Sequence, residues 1–166
     1  MDRKLLLLGL LRIQDMHGYQ LNDFIDAFLA VCVDVKKPTA YYLLNKMHAD
    51  EWIAVEEQQE GNRPVRRIYS ITPQGETAFQ ELLANNLGSY VPVQFNSDIG
   101  LAFMDALSVD ERDNLLSQRR DELAQQLADV EAIPEHPGNF QLMIEHQVRH
   151  LQTELDWLDS VIVRLK

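Results

Sequence analysis

The chain has a single cysteine, Cys32, so it can form no internal disulfide and offers no cysteine-rich zinc site. Long apolar runs are also missing. The longest, Leu5 to Leu11, falls far short of the ~20 residues that span a bilayer. Arg3 and Lys4 precede it, as in a secretory signal, but Arg12 and QDMHGYQL follow without a small-residue cleavage site, so the expectation is a cytoplasmic protein with no membrane partner. Positive charge is scarce. Fifteen Lys and Arg stand against 26 Asp and Glu, a formal net charge of -11, which works against any polyanionic partner. No phosphate-cradling glycine loop is present, and no nucleophile with a base stands at usable spacing, so neither catalysis nor a cofactor is expected. Internal repeats and low-complexity segments are lacking too.

The charge deficit is uneven. Residues 1–86 hold 9 Lys and Arg against 12 Asp and Glu, whereas residues 87–166 hold 6 against 14. In the first half, Lys36, Lys37 and Lys46 form one basic cluster and Arg63, Arg66 and Arg67 another. Local charge steers a polyanion within a Debye length of about 8 Å, so an acidic total does not exclude DNA.

Periodicity sets the elements. Leu5 to Met16 is apolar nearly throughout and predicts a largely buried first helix. Gly18 interrupts, after which Tyr19, Leu21, Phe24, Ile25, Phe28 and Leu29 recur at helical spacing. Pro38 fits the first turn of a third helix, where its missing N–H costs nothing, and Tyr41, Leu44 and Met47 form its apolar stripe. The period then shortens. Ile53 and Val55 alternate with polar residues, EGNRP supplies a loop, and Val65, Ile68 and Ile71 continue on the return run, which predicts a β-hairpin. Thr72 followed by Pro73 reads as an N-cap opening the next helix, through Phe79, Leu82 and Leu83.

Three helices and a two-stranded hairpin make a winged helix-turn-helix, expected over residues 1–86. In such a motif the third helix enters the major groove. The candidate DNA contacts are therefore Lys36, Lys37, Thr39, Tyr42 and Lys46 on the helix and Arg63, Arg66 and Arg67 on the wing. Tyr41 lies on the packing stripe with its hydroxyl available for a phosphate. Each basic cluster could instead be a solvated face, with Glu56, Glu57 and Glu60 neutralising the wing.

ANNLGSYVPVQFNSD predicts a linker over residues 87–98. Beyond it a helical domain is expected at 99–166, so the fold is mainly α. IGLAFMDAL reads as a short helix, Ser108 to Glu111 as a capping box, and IPEHPGN as the stop between two long helices. In the last helix Ile144, Val148, Leu151, Leu155, Leu158 and Ile162 step by 4, 3, 4, 3 and 4, a heptad-like seam assigned to dimerisation. Its partners would be the preceding helix and a second subunit. Phe103, Met104, Met143 and Trp157 are either dimer core or an effector pocket. His146 and His150 stand four apart, but two ligands without a third make no metal site.

These motifs, in this order, resemble the PadR family of transcriptional regulators. The family's His-Gly-Tyr element is HGYQL here, its Thr-x-Tyr-x-x-Leu helix is TAYYLLNKM, and its basic-Tyr-x-x-Thr-x-x-Gly run is RRIYSITPQG. LSVDERDNLLSQRRDEL and HQVRHLQTELDWLDSVI are similar to the family's helical C-terminal domain. The pattern departs at Glu51, where members commonly carry glycine, and at Pro38, where a small residue is more usual. The resemblance implies a homodimeric repressor of a double-stranded operator, and allows a small aromatic or drug-like effector. The rival reading is a winged helix that docks proteins and binds little DNA.

Overall fold

The structure is a computed structural model and describes residues 3–24, 36–59 and 66–165. Arg63, the EGNRP loop, Cys32 and the second half of the second predicted helix lie outside the described residues. The chain divides into two units, Met1–Val91 and Pro92–Lys166.

In the first unit the elements run α1 (Arg3–Ile13), β1 (Met16–His17), α2 (Gly18–Phe24), α3 (Lys37–Ala49), β2 (Ile53–Gln58), β3 (Arg66–Ile71) and α4 (Pro73–Gly88). Leu7, Leu8, Leu10 and Leu11 of α1 are buried with Leu21, Leu44, Met47, Ile53, Tyr69 and Phe79, so every element of this winged helix contributes to one core. Thr72 caps α4 as its sequence predicts, its hydroxyl accepting from the Gly75 amide at 3.0 Å.

The first helix is shorter than its apolar run suggests. It ends at Ile13, and Met16 and His17 instead pair antiparallel with Tyr69 and Ile68. The predicted two-stranded hairpin is thus a three-stranded sheet of order β1-β3-β2. Met16 is buried as a strand residue beside Tyr69, which an apolar residue at the end of a helical run does not reveal.

The turn from α3 into β2 has a sharper requirement. Glu51 adopts φ 59°, the left-handed region that side chains other than glycine occupy at a cost of about 1–2 kcal/mol. Several bonds hold it there. Thr72 Oγ1 donates to the Glu51 carbonyl at 2.7 Å, Trp52 N–H donates to Met47 O at 2.9 Å, and Thr72 N–H donates to Trp52 O at 3.1 Å. Lys4 closes the corner, with Nζ 4.3 Å from the Trp52 ring centroid and 3.5 Å from Asp50. Glu51→Gly is expected to stabilise the protein by about 1 kcal/mol, because removing Cβ relieves this strain. Chemical denaturation checks it, and an unchanged midpoint would remove strain from the account of this turn.

In the second unit a short helix, α5 (Asp98–Ala102), and a 3-10 turn (Met104–Ala106) precede two long helices, α6 (Val109–Glu131) and α7 (Phe140–Leu165). The predicted short helix is therefore broken at Phe103. Ser108 and Glu111 form the reciprocal capping box expected of them. Arg120 pairs with Asp159 at 2.6 Å, Arg119 with Glu154 at 2.7 Å, and Arg112 donates to Leu165 O at 3.2 Å. Partners on α7 come later as those on α6 come earlier, so the two helices are antiparallel. Among the described residues, no helix is long and apolar enough to cross a membrane.

Candidate nucleic-acid interface

Along α3 the core takes Ala40, Leu44 and Met47. Lys36, Lys37, Tyr42 and Lys46 are exposed, and Thr39 is half-buried. None of the three lysine ammonium groups makes an ion pair or hydrogen bond among the described residues. Tyr41 differs from its neighbours. Its ring lies against α2, so close that a Cβ on Gly18 would sit 2.7 Å from Tyr41 Cε1. Glycine at 18 is therefore a packing requirement for where Tyr41 stands.

The wing approaches the same place. A cavity of about 300 Å³ is lined by His17 on β1, Gly18 and Tyr19 at the start of α2, Tyr41 and Asn45 on α3, and Arg66, Arg67 and Tyr69 on β3. His17 stacks on Tyr19 with ring centroids 5.4 Å apart, and its Nδ1 lies 3.3 Å from Arg67 O. Burial pushes the Tyr69 hydroxyl above its ordinary pKa, while the charge and hydrogen bond of Arg67 pull the other way. The Tyr69 hydroxyl therefore stays protonated at physiological pH, with its oxygen accepting from Arg67.

The two wing arginines are not equivalent. Arg67 Nε donates to Glu57 at 3.2 Å, whereas the Arg66 guanidinium has no partner among the described residues. Tyr41, Arg66 and Arg67, named from the sequence, are thus brought to one cavity; Thr39, Tyr42 and the lysines are not among its lining. Sequence reasoning missed His17, Tyr19, Asn45 and Tyr69. The HGY element was visible, yet only β1 pairing with β3 brings it to the wing.

In the second unit, Ile144, Leu151, Leu155 and Leu158 are buried within the chain itself, and Val148 and Ile162 are half-buried. Ile144, Leu151 and Leu155 pack with Leu127 and Val130 of α6, and Val148 joins them. The preceding helix is thus one of the two partners expected for the seam. A heptad-like stripe reports that a face is covered, and here α6 covers it. Apolar side chains left open in this unit include Ile99, Phe103, Val109, Leu115, Leu142 and Val163.

The four pocket candidates also separate. Met104 and Trp157 share a cavity of about 340 Å³ with Leu101, Val161, Arg164 and Leu165. Trp157 also lines a second, of about 360 Å³, with Phe95, Asp98, His150, Thr153 and Glu154. Phe103 and Met143 line neither. Arg119 lies over the Trp157 ring, 5.8 Å from its centroid. Among the described residues no group of three or more His, Cys, Asp or Glu gathers as a metal site, and His146 does not join His150 in one.

Residues 7–81 match the model of the transcriptional regulator PadR-like family. The winged helix is a PadR-like domain. Solved PadR structures share the fold of the whole chain. PadR of Bacillus subtilis in complex with operator DNA aligns with TM-score 0.83 at 19% identity, covering 98% of each chain. The same regulator in complex with p-coumaric acid gives 0.79 at 18%, covering 98% of this chain and 97% of that one. The Vibrio cholerae virulence activator AphA gives 0.76 at 17%, covering 98% and 96%. No curated protein matches the sequence. In PadR terms, the cavity described above lies among the three quoted motifs, HGY across the β1–α2 junction, TAYY on α3 and RRIY on β3.

Proposed function

We propose that this PadR-like chain is a homodimeric transcriptional repressor that binds a double-stranded operator. The observation that carries the reading is the cavity where α3, the HGY corner and β3 meet, because it places cationic and hydroxyl donors from three elements on one side of the winged helix. Phosphate contacts fix register on a duplex and base contacts specify sequence. In this reading Lys36, Lys37, Lys46, Arg66 and Arg67 contact phosphates, with Arg63 on the wing loop. Tyr41 donates from its hydroxyl, and Thr39 and Tyr42 face the groove. Four of those cations are unpaired within the described residues, so the acidic total does not neutralise them.

Dimerisation is assigned to the open apolar residues of the second unit, notably Ile99 on α5 and Phe103 just after it, because much of the α7 seam already packs on α6. A symmetric dimer presents two recognition helices to two half-sites. An effector that alters their separation changes operator affinity without touching DNA. The cavity beside Met104 and Trp157 supports a small aromatic acid, with apolar walls and Arg164 at its edge. The structure of a PadR protein with p-coumaric acid agrees in ligand class.

The test is duplex binding by the full chain, measured on DNA from upstream of its own gene and on an unrelated fragment. A regulator of this kind binds both at low salt, the upstream fragment more tightly. Log affinity falls with log salt by about 0.9 for each phosphate neutralised. Sequence-independent binding precedes specificity, so no binding to either fragment at low salt overturns the proposal in favour of a protein-docking wing.

A further inference from the structure

The buried residues of α3 define the opposite face by geometry. At 100° per residue, the direction away from Ala40, Leu44 and Met47 is taken by Pro38, Tyr42, Asn45 and Ala49, all exposed. Among these only Asn45 ends in a group that donates and accepts in one plane. Its carboxamide makes no hydrogen bond among the described residues, so it is free for an outside partner. Its neighbours limit what that partner is. Lys46 follows it on the helix, and Arg66 and Tyr41 share the cavity at whose edge it stands. Lys46 and Arg66 are cations and take phosphate oxygens in preference to a neutral amide, which leaves Asn45 to a base edge.

We infer that Asn45 is a specificity-determining residue that reads an adenine in the major groove. Its Oδ1 accepts from the adenine N6 amino group while its Nδ2 donates to N7, a pattern that no other base pair presents in that groove. The cavity beside it fixes the helix against the backbone, and Asn45 then reads one base at a set distance from that phosphate. The inference rests on the DNA-binding reading of this face.

The experiment enriches random-sequence duplexes on the full chain and on its Asn45→Ala and Asn45→Asp variants. Wild type is expected to select an adenine at one fixed position of each half-site. Asn45→Ala loses that preference, about 5- to 150-fold, and keeps the remaining positions and the salt dependence. Asn45→Asp cannot donate to N7 and shifts the position towards cytosine, whose amino group a carboxylate accepts from. On the selected duplex, 7-deazaadenine at that position weakens wild type and leaves Asn45→Ala unchanged. A wild-type pool without a fixed adenine, or an alanine variant that keeps it, overturns the assignment while DNA binding stands. No enrichment by wild type, together with no duplex binding at low salt, overturns the DNA reading and this one with it.

Discussion

Gly75→Ala is expected to cost about 3 kcal/mol, the upper end of what overpacking usually costs. That loss lowers the unfolding midpoint of a unit this size by about 12–24 °C. A Cβ at Gly75 would stand 1.9 Å from the Trp52 carbonyl oxygen and 2.8 Å from its carbonyl carbon. Neither atom can swing aside as a side-chain tip would. The Trp52 carbonyl accepts from Thr72, and the Gly75 amide donates to the Thr72 side chain, so both backbones belong to the same capped corner. Relief requires α4 to lift from the α3–β2 turn, exposing Phe79 and Ala78 of the core. Gly88→Ala is the control, because nothing lies within 4 Å of a Cβ there. Calorimetry on both variants decides the matter. A Gly75→Ala protein that melts with wild type would mean that α4 does not rest on the Trp52 carbonyl.

The same corner shows what the sequence could and could not disclose. Thr72-Pro73 and Ser108–Glu111 were legible because a cap is local chemistry within four residues. The α3 stripe was legible at Leu44 and Met47, whose helical spacing specifies a face, but Ala40 completes it where Tyr41 was expected, and Tyr41 is exposed. Glu51 concealed its backbone conformation, since the residue that advertises a left-handed turn is glycine. The resemblance to PadR sequences marked the position as a departure, and φ 59° supplies the physical content of that departure. β1 stayed hidden because two residues are too few to display a period of two. The cavity could not be read at all, since His17, Tyr41 and Arg66 meet only through the β1–β3 pairing. The α7 seam was read correctly as a covered face, but periodicity carries no information on whether the cover is α6 or a second subunit.

Arg66→Ala/Arg67→Ala is expected to weaken duplex binding about 30- to 150-fold, taking roughly 1–1.5 kcal/mol for each exposed phosphate contact. The slope of log affinity against log salt becomes shallower by about 0.9 for each phosphate given up, so by about 1.8 for two. The two residues do not contribute alike. In the proposed complex Arg66 would meet a phosphate with no competitor, whereas Arg67 would have to loosen its 3.2 Å contact with Glu57 to do so. Arg66→Ala alone therefore carries the larger share. Both Arg67 and Glu57 are more than half exposed, so their pair contributes at most about 1 kcal/mol to folding and is open to exchange. Glu57→Gln should then act in the opposite direction and tighten binding, because it frees Arg67 and removes a negative charge from the wing. Titrations of the four proteins at two salt concentrations test these expectations together. A double variant with wild-type slope would detach the wing from the duplex and leave α3 to hold the DNA alone. If Glu57→Gln weakened binding instead, the ion pair would be positioning Arg67 rather than competing for it, and the wing's charge would depend on its acidic neighbour.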